Sequence, residues 1–123
     1  MIHSDGFLKL VDDAKKRIKE ITVEEVRAKQ ERHEDFVLVD VREDREWDQG
    51  HAAGAIHLGK GIIERDIEGA VPDRTKEIVL YCGGGFRSAL AADSMQQMGY
   101  TQLRSMAGGI KAWKDSGLPI TRG

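Results

Sequence analysis

The chain of 123 residues has a single cysteine, Cys82. One thiol excludes an intramolecular disulfide and a multi-cysteine zinc site. Four histidines, His3, His33, His51 and His57, show no metal-ligand spacing, so neither a metal nor another cofactor is expected. Surplus charge is also lacking. With 19 basic and 21 acidic residues the net charge is −2, which argues against a nucleic-acid or membrane partner. No apolar run approaches the length of a membrane-spanning helix. The opening residues, Met1-Ile2-His3-Ser4-Asp5-Gly6, lack the basic, apolar and small-residue order of a secretion signal. The expected setting is therefore reducing and cytoplasmic. No repeat, low-complexity tract or linker divides the chain, whose length suits one domain around one core.

What is present alternates between helix and strand patterns. Phe7, Val11, Ala14, Ile18 and Ile21 recur every three or four residues, predicting an amphipathic helix over about residues 6–19. Its Lys15-Lys16-Arg17 run is expected on the solvated face. Thr22-Val23-Glu24-Glu25 matches a capping box and starts a second helix reaching about Lys29. Phe36 to Val41 is a nearly continuous apolar run, as in a strand buried on both faces of a parallel sheet. Short strands are also expected at 54–58, 78–81 and 103–106, with helices at 62–69, 89–98 and 110–116. This order predicts an α/β fold with a mainly parallel sheet, whose ligands bind beyond the carboxyl ends of the strands. Asp40 and Cys82 both fall at such ends. Residues 1–20 form an expected helical extension to a domain spanning 21–123.

Cys82 opens the run Cys82-Gly83-Gly84-Gly85-Phe86-Arg87-Ser88, between the strand Ile78-Val79-Leu80-Tyr81 and a helix. Free backbone amides at a turn entering a helix favour negative charge, and glycines let the backbone curl those amides around an anion. A thiolate, the nucleophilic form of cysteine, suits such a place. Ser88 can cap the following helix, and Arg87 supplies a permanent positive charge for an anionic substrate. Plainer roles stay open: a lone cysteine can be a small core hydrophobe, and Arg87 can be a surface charge or the partner of a carboxylate such as Asp40.

This loop resembles the active-site loop of single-domain rhodaneses, which often has the form C-x-x-G-x-R-S. Three further segments are similar to that family in the same order: Val39-Asp40-Val41-Arg42-Glu43 with Glu46-Trp47; Gly50-His51-Ala52-Ala53-Gly54-Ala55-Ile56-His57; and Gly108-Gly109-Ile110 with Ala112-Trp113 and Gly117-Leu118-Pro119. Ala52 departs from the isoleucine more frequent there. The resemblance implies a rhodanese-like three-layer fold, with a five-stranded, mostly parallel sheet and helices on both faces. It also implies sulfur transfer, with Cys82 as nucleophile and Gly83, Gly84, Gly85, Phe86, Arg87 and Ser88 as the substrate-binding loop. A small-molecule donor such as thiosulfate would load a persulfide on Cys82. With no second cysteine to resolve it, a thiol, cyanide or a thioredoxin-like protein would accept the sulfur. Asp40 and Arg42 match the family's D-x-R element and have either a supporting role at the site or a structural one in turn geometry and ion pairing. His51 and His57 are expected to be structural, and Trp47 and Trp113 to anchor the core.

Two other functions fit the class. One is a persulfide carrier or regulatory binding module. The other is a phosphatase or arsenate reductase resembling the cell-cycle phosphatases of the same fold. Those need C-x-x-x-x-x-R around a tetrahedral oxyanion, whereas Cys82 and Arg87 give a loop one residue shorter.

Overall fold

The computed structural model describes residues 3–122; Met1, Ile2 and Gly123, which close the two expected segments, lie outside the described residues. In chain order the elements are α1 (Asp5–Lys15), β1 (Glu20–Ile21), α2 (Val23–Glu31), β2 (Val37–Asp40), α3 (Asp44–Asp48), β3 (His51–Ala52), β4 (Ile56–His57), α4 (Ile63–Ala70), β5 (Ile78–Tyr81), α5 (Phe86–Gln97), β6 (Leu103–Met106), α6 (Gly109–Asp115) and β7 (Ile120–Thr121). Five strands form one sheet in the order β1-β6-β5-β2-β4, and every pairing in it is parallel. The sole antiparallel pair among the described residues, β3 with β7, stands apart from this sheet.

The side chains of β5 sort alternately onto two cores, as the two-residue period of a strand requires. Ile78, Leu80 and Cys82 join Ile63 and Ile67 of α4 and Ala91, Ala92 and Met95 of α5. Val79 and Tyr81 join Val23 and Val26 of α2 and Ile110 and Trp113 of α6. The sheet is thus covered on both faces, which explains why β5 has no polar residue to mark a solvated side. Small residues in α5 let that helix lie close to the sheet, and α1 packs against it in turn.

Several boundaries differ from the sequence expectations. Helix α1 stops at Lys15 rather than near residue 19, because the chain turns at Lys16 and Arg17 to enter β1. Arg17 secures this turn through Asp93 of α5, at 2.9 and 2.8 Å, and Gln96 donates to the Arg17 carbonyl at 3.0 Å. Ile18 continues the apolar period only by coincidence; after the turn it packs on the α4–α5 core. Helix α5 starts three residues earlier than expected, at Phe86, since Gly85 at φ +99° takes the N-cap position expected for Ser88. The five-residue α3 and the two-residue strands β1, β3 and β7 have no periodicity long enough to detect.

Candidate active site

β5 and the turn after it deliver the Cys82 thiol to the start of α5. Sγ receives hydrogen bonds from the amides of Gly85, at 3.2 Å, and Ser88, at 3.4 Å. The Ser88 amide is free to do so because it lies in the first helical turn, where no carbonyl precedes it at the right spacing. Ser88 Oγ lies 3.6 Å from Sγ and 2.8 Å from Oγ of Ser105 on β6, so two hydroxyls extend the polar contact. Both serines are fully buried and Cys82 is only 1% exposed. A cysteine serving as core filler has no use for two amides that donate to its sulfur and a hydroxyl that accepts from it, so the plain core role does not account for this geometry.

The loop is clamped from behind. The Cys82 carbonyl accepts from the Ile110 amide at 2.9 Å, and the Gly83 carbonyl accepts from the Lys111 amide at 3.2 Å. These contacts require Gly109, at φ +56°, where a Cβ would sit 2.4 Å from the Cys82 oxygen. The closing Gly108-Gly109 segment therefore belongs to the site, although it lies 26 and 27 residues downstream of Cys82.

Arg87 is held by a carboxylate from another element. Its guanidinium binds both oxygens of Glu46 on α3, at 2.7 and 3.0 Å, and not Asp40. This pairing drops the Glu46 carboxyl to about 2, against the opposing effect of burial, and raises Arg87 further. Asp40 instead belongs to Arg42: it accepts from the Arg42 amide at 2.9 Å, from Nε at 3.1 Å and from Nη2 at 2.8 Å, and the same Nη2 also donates to the Gly50 carbonyl at 2.8 Å. This buried pair joins the end of β2 to the start of β3, and its hydrogen bonds go to neither Cys82 nor the loop amides. Beside it, burial pushes the Tyr81 phenol well above its ordinary range, and its oxygen accepts from the Ala52 amide at 3.0 Å.

The remaining expected residues fall as follows. The Phe86 ring meets His3 and Phe7 of the N-terminal segment, at 4.6 and 6.3 Å between centroids. Trp113 is fully buried and donates to the Pro119 carbonyl at 2.8 Å. Trp47 is only half-buried, so it is not the core anchor expected; it stacks on His51 at 3.4 Å and on His57 at 4.9 Å. His57 also contacts the Arg42 carbonyl through Nε2 at 2.7 Å. Two participants escaped the sequence: Ser105, which has no local mark beyond being polar in a strand, and Glu46 as the partner of Arg87.

A parallel α/β sheet with a thiol held by backbone donors beyond its central strand defines a class of cysteine-loop proteins. The chain belongs to the rhodanese-like domain family, whose profile matches residues 22–116. A sulfurtransferase of Allochromatium vinosum is 38% identical over 87 residues, covering 71% of this chain and 79% of that protein. The thiosulfate sulfurtransferase PspE of Escherichia coli is 34% identical over 85 residues, covering 69% and 78%. Among solved structures, a Rhodopseudomonas palustris protein described as a possible tyrosine phosphatase is 32% identical with a TM-score of 0.88, covering 98% of both chains. That coverage includes α1.

Proposed function

We propose that this protein is a sulfurtransferase that carries sulfane sulfur as a persulfide on Cys82. The observation that supports it most is the convergence of the Gly85 and Ser88 amides on Sγ, with the Ser88 hydroxyl beside them. Donors so arranged stabilise negative charge on sulfur, both in the attacking thiolate and in the persulfide that follows. The Cys82 thiolate attacks the outer sulfur of thiosulfate; the S–S bond of the donor breaks and sulfite leaves with its electron pair. A thiolate or cyanide then attacks the outer sulfur of the persulfide, releasing the Cys82 thiolate and a new persulfide or thiocyanate. Gly83 and Gly84 add no side chain of their own to the loop, and Ser88 with Ser105 retains the hydroxyl contact through both steps. Asp40 and Arg42 hold the neighbouring turn. The Ser88 hydroxyl accepts from a neutral thiol and donates to a thiolate, so it suits each state in turn.

The phosphatase reading, suggested by the description of the Rhodopseudomonas palustris relative, fits less well. An oxyanion loop needs its arginine for the substrate, and here Glu46 occupies both arms of Arg87 that face it. No hydrolysis of a phosphotyrosine mimic is expected. A persulfide carrier uses the same loop chemistry, and turnover separates it from an enzyme.

The test is thiocyanate formation from thiosulfate and cyanide, run beside Cys82→Ser, with intact mass spectrometry of the donor-treated protein. The parent should gain one sulfur atom and turn over, and the variant should do neither. Equal rates would remove Cys82 from the mechanism. A loaded parent without turnover would favour the carrier.

A further inference from the structure

Four cations around the Cys82 loop are each matched by a carboxylate. Arg87, the sole charged residue of the loop itself, is held by Glu46. Arg42 is sealed against Asp40 at 2.8 Å. Lys111, whose amide clamps Gly83, pairs with Asp115 at 2.8 Å. Lys15, with its ammonium 5.4 Å from the centre of the Phe86 ring, faces Glu20 at 3.7 Å. Glu43 adds an exposed negative charge that Arg87 feels. These four cations therefore add no surplus positive charge to the hydrogen-bond donors of the loop.

Of these pairs, only Arg87–Glu46 places its cation against the loop backbone. One Arg87 nitrogen is 3.2 Å from where a Gly83 Cβ would be. The pair is about one-third exposed on both sides, so an arriving donor meets it. We propose that Glu46 is a specificity-determining residue that occupies Arg87 and thereby disfavours dianionic donors, leaving a thiol-linked persulfide as the preferred source of sulfur. This rests on the sulfurtransferase reading. A thiosulfate dianion can reach Arg87 only by displacing the bidentate carboxylate, and the displaced carboxylate then remains beside it as a like charge. A persulfide RS–SH asks for no such displacement. The Cys82 thiolate attacks its terminal sulfur, the RS–SH bond breaks, the thiol RSH leaves with the proton, and Cys82 keeps the outer sulfur as a persulfide anion.

The test measures kcat/KM for thiosulfate and for glutathione persulfide, in the parent and in Glu46→Gln. In the parent the persulfide should be the better donor, and thiosulfate use should depend only weakly on salt between about 20 and about 200 mM. Glu46→Gln should raise the thiosulfate-to-persulfide ratio about five- to tenfold and introduce a steep decline of thiosulfate use with salt. A purely structural role for Glu46 would depress both donors together without that new salt dependence. An unchanged or lowered ratio overturns the assignment, as does a steep salt dependence already present in the parent, which needs no variant to fold. If intact mass shows that the parent takes sulfur from neither donor, the sulfurtransferase reading itself fails. A loaded Cys82 with an unmoved ratio removes only the role of Glu46.

Discussion

A Cβ on Gly109 would lie 2.4 Å from the Cys82 carbonyl and 2.6 Å from that of Gly83, while φ at +56° already disfavours any side chain. Gly109→Ala must therefore push α6 off the loop and loosen the two hydrogen bonds that position Cys82. A loss of at least about 2 kcal/mol in urea unfolding is expected, together with a fall in the rate of persulfide loading. Gly6→Ala is the matching control: nothing lies within 4 Å of its Cβ, it is helical, and the change should be neutral or slightly stabilising. Equal stability of the two variants would refute the clamp. Cys82 and its glycines were legible at this scale because strand, small residues and helix follow one another without interruption. Ser105 was not, since a hydroxyl in a strand acquires meaning only from what the neighbouring strand brings to it, here the end of β5.

Among the helices, α1 is the one that lies outside the matched family segment, yet it reaches the loop. Val11 and Ala14 bury its inner face, and Phe7 and His3 close over the Phe86 ring that begins α5. Phe86 is thus tied down at the start of α5, and α1 restrains the first turn whose amide donates to the sulfur. Phe7→Ala should leave the fold intact while speeding amide hydrogen exchange at Gly85 and Ser88 and lowering kcat about two- to fivefold with little change in KM. Unaltered exchange at those two amides would show that α1 is a passive cover. The amphipathic period revealed this helix but not its end: the ion pairs of Arg17 with Asp13 and Asp93 mark where the chain turns, and one of those partners is 76 residues away.

For the whole molecule, the Arg87–Glu46 pair joins α3, beyond β2, to α5, beyond β5. The folded-state carboxyl of Glu46, at about 2, lies below its ordinary value of 4.5. Its contribution to stability is accordingly complete above pH 4.5 and fades as pH falls towards about 2. Because the pair is partly exposed, about 1 kcal/mol is the expected size. Glu46→Gln should be less stable than the parent at neutral pH by that amount, and the two unfolding midpoints should converge near pH 2, as measured by urea titration at several pH values. A difference that persists unchanged into acid would mean that shape rather than charge makes the contact.

The sequence by itself determined the alternation of strands and helices, the position of the single thiol at a strand end, and the glycine-rich entry to α5. These are local properties, set by side-chain periodicity and backbone freedom within a few residues. The tertiary structure alone decided which carboxylate Arg87 meets, which serine backs Ser88, and that α6 and α1 hold the loop from opposite sides. Those contacts join residues 17 to 83 positions apart, and no local pattern specifies them. They exist because a parallel sheet places the ends of distant strands, and the loops that follow them, along one edge.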